Sequence, residues 1–304
     1  MKAVVYERYG PPDVLELREM DKPAPKDNEI LIKTHATTVT VGDCRGRSLN
    51  MPAGFGLIAR LVLGVSKPRQ PILGAELSGT VASVGKAVTQ FKIGDAVFAS
   101  TGARLGCHAE YKCMPQDSAV AHKPANVSLD EAAALSSGGT TALDVFRRTK
   151  LQRGEKVLVI GDVVTGVCGG ANAAWVKALG AAHVLDYTRE DFTRNGETWD
   201  VMVDTAGTAP YARSKNSLTK NGRLLLVLCG LPALLHAPWV SMISRRKVIA
   251  GPAVGRVADL VFLAKLAEAC EFKAVIDRRY PFEQMADAHR DVNVGHCHAT
   301  VCPR

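Results

Sequence analysis

Gly154-Glu155-Lys156-Val157-Leu158-Val159-Ile160-Gly161 reads as a buried parallel strand that ends on the glycine where a phosphate-binding turn begins. The next residues, Asp162-Val163-Val164-Thr165-Gly166-Val167-Cys168-Gly169, read as a second strand. Parallel neighbours need a crossover of about a dozen residues or more, usually a helix, and a βαβ unit takes roughly 30 or more. Only a residue or two separates these runs. A glycine-rich turn, and a helix whose N-terminus could hold a pyrophosphate, have no room between them.

Outward from this junction the chain divides into two patterns. Up to about residue 125 it reads as mostly β. Glu29–Val39, Gly74–Gly85 and Phe91–Phe98 are short β-branched runs bounded by Gly and Asp, as in a barrel or sandwich. His35 falls inside the first run and reads as structural. From Ser128 strand and helix patterns alternate. Ser128 and Glu131 have capping-box spacing before Ala132-Ala133-Ala134-Leu135. Val157–Ile160, His183–Leu185, Val201–Val203 and Leu224–Leu228 read as strands, and Ala171–Leu179 and Tyr211–Leu218 as helices. The alternation predicts a doubly wound parallel sheet. Near Asp277 the chain turns β again, and Met285–Val292 reads as a helix.

Composition sets bounds. The chain has 304 residues, 47% of them hydrophobic, and a formal charge of +8, which fits two domains with sizeable cores. The basic residues are dispersed; Lys67-Pro68-Arg69 and Arg245-Arg246-Lys247 are short clusters of the solvated kind, and nucleic acid is not an expected partner. None of the eight cysteines forms a C-x-x-C pair, and their scatter fits reduced thiols. The start, Met1-Lys2-Ala3-Val4-Val5-Tyr6, lacks a charged-then-apolar leader. A cytoplasmic protein is expected. Leu57–Leu63 is apolar, but it is short, is broken by Arg60, and falls well below the ~20 residues of a membrane span. It reads as a lid or core helix.

The motifs together resemble the medium-chain dehydrogenase/reductase superfamily, in particular its zinc-independent quinone oxidoreductase-like branch. They are Met1–Tyr6 with Gly10-Pro11-Pro12, Gly74-x-Glu76-x-x-Gly79-x-Val81-x-x-Val84-Gly85 followed by Gly94-Asp95-x-Val97-Phe98, and Ala109-Glu110-Tyr111. Gly138–Ala142, Leu179-Gly180-Ala181 with Asp186-Tyr187, and Val203-Asp204-Thr205-Ala206-Gly207 complete the set. The resemblance implies an α/β protein with a GroES-like β-barrel domain, residues 1–125 completed by 273–304. It also implies a truncated Rossmann domain, residues 126–272, shortened near 161–163. Zinc-dependent relatives carry Gly-His-Glu where this chain has Gly74-Ala75-Glu76. Alanine cannot ligate, and a catalytic zinc needs three protein ligands. Cys44 is out of register with the family's cysteine ligand, the four-cysteine structural-zinc lobe is missing, and Cys107, Cys113 and His108 read as small thiols and a surface histidine. No zinc is expected.

The same resemblance implies an NADPH cofactor. The run ending at Cys168 carries no Asp or Glu for the ribose hydroxyls, which leaves room for a 2′-phosphate. Gly169, Gly170, Lys177 and Tyr187 sit where related reductases hold that phosphate. Gly161, Thr205, Ala206, Gly207, Cys229 and Gly230 complete the implied cofactor set at the carboxyl edge of the sheet. Asp43, Arg45 and Thr141 lie where relatives line the substrate cleft, for quinones, enones or other small carbonyl compounds. The family's C-terminal Gly-His-x-x-Gly-Lys-Val-Val is degraded to Gly295-His296-Cys297-His298-Ala299-Thr300-Val301-Cys302, and His296, Cys297 and His298 read as a solvated tail.

A helix covering a sheet face buries three or four large apolar side chains, roughly 6–8 kcal/mol, against a total stability of about 5–15 kcal/mol. Losing one exposes a face that self-association can cover, so a homodimer is expected. The expected activity is hydride transfer with impaired cofactor binding; the alternative is a cofactor-free descendant that binds or scaffolds.

Overall fold

In the computed structural model, residues 1–160, 167–168, 177, 183–186, 189–253, 255–293 and 299–302 are described. They fall into two compact units: Met1–Asn50, Leu57–Thr141 and Val254–Arg304 make the first, Met51–Gly56 and Ala142–Ala253 the second.

The first unit is built on β3 (Glu29–Val39), eleven residues rich in β-branched side chains. It pairs antiparallel with β4 (Glu76–Val84), β6 (Tyr111–Pro115) and β15 (Ala299–Cys302). β5 (Ala96–Ser100) and β7 (Val120–His122) extend the sheet past β4, and β14 (Arg278–Pro281) past β15. Ile30, Ile32, Leu77, Val81 and Val97 fill its core. β1 (Lys2–Val5) and β2 (Glu16–Glu19) form a separate antiparallel pair. Two capping boxes start helices as the spacing requires. Thr40 and Asp43 begin α1 (Val41–Ser48), and Ser128 and Glu131 exchange hydrogen bonds at the head of α3 (Leu129–Thr149). The run expected as a lid or core helix is α2 (Gly56–Leu63), and it has no buried residue.

The second unit is a parallel sheet ordered β10 (Leu185–Asp186), β9 (Val167–Cys168), β8 (Val157–Ile160), β11 (Trp199–Asp204), β12 (Leu218–Leu226), β13 (Lys247–Ala250). The expected helix at 211–218 is shorter: one turn, Tyr211–Ser214, passes through a tight turn into β12 at Leu218. β9 lies beside β8 in parallel although no crossover helix fits between them. Their pairing explains how, because the only paired positions are Ile160 and Val167. A full crossover must climb back to the start of its neighbour. Here β9 joins level with the last residue of β8, and seven peptide steps of about 3.8 Å easily span strands about 4.8 Å apart.

The first unit also buries two histidines. His108 and His289 are both fully buried, with ring centroids 5.8 Å apart in an edge-to-face arrangement. Thr37 Oγ1 donates to the Glu76 carbonyl at 2.8 Å and lies 3.1 Å from His108 Nδ1. Its one proton is spent, so His108 Nδ1 carries the hydrogen of that contact. Arg47 Nε donates to His289 Nδ1 at 3.3 Å, which places the His289 hydrogen on Nε2. Among the described residues, both Nε2 atoms lack a hydrogen-bond partner. Burial pushes His108 down to about 3, and burial, with His108 and Arg47 nearby, holds His289 well below the usual range. Both rings stay neutral in the fold, whereas the unfolded chain protonates them near pH 6.5. Stability is therefore complete above that pH and falls as pH drops below it, by up to about 1.4 kcal/mol per pH unit for each ring. Melting temperatures measured from pH 7.5 to 4.5 should fall more steeply for the native chain than for His289→Gln; parallel curves would show that the buried rings do not drive the loss.

Candidate functional site

The carboxyl edge of the parallel sheet gathers the sequence-expected residues of the second unit. β11 ends at Asp204, whose side chain is 1% exposed. Its Oδ1 accepts the amide hydrogens of Ala206, Gly207 and Thr208 at 3.1, 2.8 and 3.3 Å, and Oδ2 accepts that of Ala209 at 2.8 Å. Burial raises the Asp204 carboxyl above its ordinary range, while the four amides pull it down. Thr205 sends both its amide and its hydroxyl to the Ile160 carbonyl, at 2.8 and 3.0 Å, which fixes this turn to the end of β8. Gly207 has φ +78°, and a Cβ there would meet Leu228 in the loop after β12. The turn thus requires glycine twice over, by conformation and by proximity.

Cys229 and Gly230 follow on the same edge. Cys229 is half-buried, and its thiol is pushed up by burial. Gly230 starts the helix Leu231–Ile243; the Leu231 amide donates to the Ala53 carbonyl at 2.8 Å, and a Cβ on Gly230 would lie 2.8 Å from that same oxygen. The structure therefore brings Thr205, Ala206, Gly207, Cys229 and Gly230 together. Their geometry also limits them, because the amides of 206 to 209 already serve Asp204 and offer nothing to a phosphate. Asp204 was legible as an Asx-type turn residue, an Asp at a strand end followed by small residues and glycine.

Gly161, Gly169, Gly170 and Tyr187 lie outside the described residues, as do His296, Cys297 and His298. Lys177 is helical and exposed. Cys168 at the end of β9 pairs in register with Asp186 of β10. An acidic side chain thus stands one strand over from the position where the sequence shows none. Asp186 is ion-paired with Arg189, Nε to Oδ2 3.7 Å.

In the first unit, Asp43 is 1% exposed, and its acceptors are taken: Oδ2 by the Thr40 amide and hydroxyl at 2.9 and 2.7 Å, Oδ1 by the Gly74 amide at 3.0 Å. Burial raises its carboxyl above the usual range. Arg45 on α1 and Thr141 on α3 are half-buried. Gly74 has φ +90°, and a Cβ would lie 2.4 Å from His108 Nδ1. His108 is therefore a core residue, where the sequence suggested a surface one; its burial follows from the glycine that admits its ring. Cys44 is buried, with its Sγ 3.4 Å from His289 Nδ1, and Cys107 is buried too, while Cys113 is half-buried. His35 is exposed and lies 3.4 Å from Asp130. Among the described residues, no three His, Cys, Asp or Glu side chains form a group able to hold a metal ion.

An antiparallel β domain joined to a parallel α/β sheet with turns gathered at its carboxyl edge defines a nucleotide-type oxidoreductase architecture. Comparison with known proteins gives the family. The alcohol dehydrogenase GroES-like domain matches residues 26–125, and the zinc-binding dehydrogenase family matches residues 179–298. A chloroplastic quinone-oxidoreductase homologue from Spinacia oleracea is 29% identical over 97% of this chain and 96% of its own length. A chloroplastic NADPH-dependent alkenal/one oxidoreductase from Arabidopsis thaliana is 28% identical over 99% of the chain and 78% of its own length. The solved quinone oxidoreductase of Coxiella burnetii superposes with a TM-score of 0.86 at 26% identity, covering 100% of this chain and 99% of that one. The chain belongs to the medium-chain dehydrogenase/reductase superfamily, in its quinone oxidoreductase-like branch. The spinach alignment runs over 328 positions, and 97% of 304 residues is about 295, so about 33 positions face a gap in this chain.

Replacing Asp204 with alanine should cost about 3 kcal/mol in urea unfolding, since it strands buried amides. Asp204→Asn, which keeps one acceptor oxygen, should cost less. A loss under about 1 kcal/mol for the alanine variant would mean that the carboxylate does not hold the turn.

Proposed function

We propose that this protein is a zinc-independent, NADP(H)-linked oxidoreductase that transfers hydride to quinones, enones or other small carbonyl compounds, with a weakened hold on its cofactor. The observation that carries this reading is similarity over nearly the whole chain to proteins named quinone oxidoreductase and NADPH-dependent alkenal/one oxidoreductase. A bound nicotinamide would supply the hydride chemistry, and the protein would orient it and exclude water.

The described residues fit such a cofactor unevenly. The Thr205–Gly207 turn and Cys229-Gly230 form an edge against which a flat ring could rest. The pyrophosphate fares worse, because the amides of 206 to 209 are spent on Asp204. Lys177, an exposed cation between β9 and β10 in the chain, and Arg189, which offsets the charge of Asp186 on β10, favour a 2′-phosphate. Gly161, Gly169, Gly170 and Tyr187 belong to the same proposed cofactor set. Arg45 and Thr141 are the proposed substrate contacts, with Asp43 fixing the start of α1. Ala75 in place of a histidine ligand supports the absence of zinc. A homodimer in the cytoplasm completes the reading; Cys44, Cys107, Cys113, Cys229 and Cys270 are free thiols, as a reducing compartment allows. The six-residue link between β8 and β9 favours a second reading, a cofactor-free protein that binds or scaffolds.

Fluorescence titration separates them. NADPH should bind more tightly than NADH at one ionic strength, and Lys177→Gln should narrow the gap. Affinities equal for the two would remove the NADPH preference, and no binding of either would favour the second reading. Two lost charge-assisted hydrogen bonds correspond to roughly 10²–10⁴-fold weaker binding than an intact phosphate turn gives. Inserting a glycine-rich turn and an amphipathic helix of about 20 residues after Gly161 should raise both the melting temperature and NADPH affinity. Submicromolar NADPH binding by the unmodified chain would show that the short link is no handicap.

A further inference from the structure

Helix α2 presents its apolar side to solvent. Leu57, Ile58, Leu61 and Val62 are 72, 44, 57 and 62% exposed, and Val65 just beyond the helix is 61% exposed. At about 100° per residue the four helical positions, Leu57, Ile58, Leu61 and Val62, fall within an arc of about 140°. Ala59 and Leu63, on the far side of the helix, are the half-buried positions. One long-range hydrogen bond holds the C-terminal end of the segment, and two local ones shape the turn after it. Tyr9 Oη donates to the Gly64 carbonyl at 2.9 Å, Arg60 Nη1 to the Val65 carbonyl at 2.9 Å, and the Arg69 amide to the Leu63 carbonyl at 2.7 Å.

Cations border the arc. Arg60 lies about 60° beyond the Leu57 side of the arc, and Lys67 and Arg69 follow the end of the helix; all three are exposed. Glu7, the carboxylate that feels Lys67, is already ion-paired with Arg18 at 2.6 Å. An outward apolar face accompanied by exposed cations is the pattern of a helix that lies in the headgroup region of an anionic bilayer. An aqueous surface does not stabilise it, and an eight-residue helix is too short to span a membrane. Among the described residues no helix is long and apolar enough to do so.

We propose that α2 with Lys67 and Arg69 docks this protein peripherally on an anionic phospholipid surface. The proposal stands apart from the proposed chemistry, since its residues lie outside the proposed cofactor and substrate sets.

Vesicle flotation tests it with the full chain. Vesicles of phosphatidylcholine containing phosphatidylserine should carry the protein, vesicles of phosphatidylcholine alone should not, and high salt should release it. Leu61→Ser with Val62→Ser alters only exposed positions, so the melting temperature should hold while flotation weakens at least about tenfold. Lys67→Glu with Arg69→Glu should weaken binding to the anionic vesicles by a similar factor. The proposal is overturned if the native chain ignores anionic vesicles, binds neutral ones equally, or floats as well with the serine pair as without it. It is also overturned if sedimentation shows a dimer that the serine pair dissociates, because the face is then occupied by a second copy.

Discussion

Six residues, 161–166, separate Ile160 from Val167, and the character of the whole parallel unit depends on what so short a link can reach. In a full βαβ unit the crossover delivers the chain to the start of the next strand and places a helix N-terminus at the ligand. Here the link can only step sideways. β9 joins level with the last residue of β8 and keeps two residues in the sheet. The order of the strands survives, because β11 pairs along all four residues of β8.

The turns that remain are held by buried carboxylates serving the protein's own backbone. Asp204 consumes four consecutive amides at the end of β11. Glu76, 2% exposed, does comparable work in the first unit. It accepts from the Thr38 hydroxyl, from the Ser136 hydroxyl at 2.8 Å and from the Ser137 amide, tying β3 and β4 to the first half of α3. Each carboxylate organises several donors that would otherwise be stranded, which is why such residues tolerate little change. The motif around Gly74 and Glu76 therefore carries family resemblance through packing: the glycine admits the His108 ring, and the glutamate anchors a helix.

The molecule places some groups against the usual sorting. Two histidines sit neutral in the interior while five apolar side chains of one segment face water. The first arrangement follows from close packing around Gly74 and from the Thr37 and Arg47 hydrogen bonds. The second goes with the Tyr9 hydroxyl, which holds the end of the segment at the Gly64 carbonyl. Both are outcomes of long-range contacts. Thr37 and His108 are 71 residues apart, and Arg47 and His289 are 242 apart.

The sequence by itself determined the family and most of the element types. Periodicity at Val157–Ile160 and Val201–Val203, the capping box at Ser128 and Glu131, and the short link after Gly161 are local properties, set by residues within a few positions of each other. Ala75, where zinc-dependent relatives carry histidine, is likewise a feature of the sequence alone. Only the tertiary structure decided that Asp43 spends its carboxylate on Thr40 and Gly74, that the amides after Asp204 are occupied, that Asp186 stands beside Cys168, and that α2 shows its apolar side to solvent. Each of these depends on which distant segment lies across from a residue. Side-chain identity gives the donors and acceptors, but pairing, burial and exposure are fixed only when the strands take their neighbours.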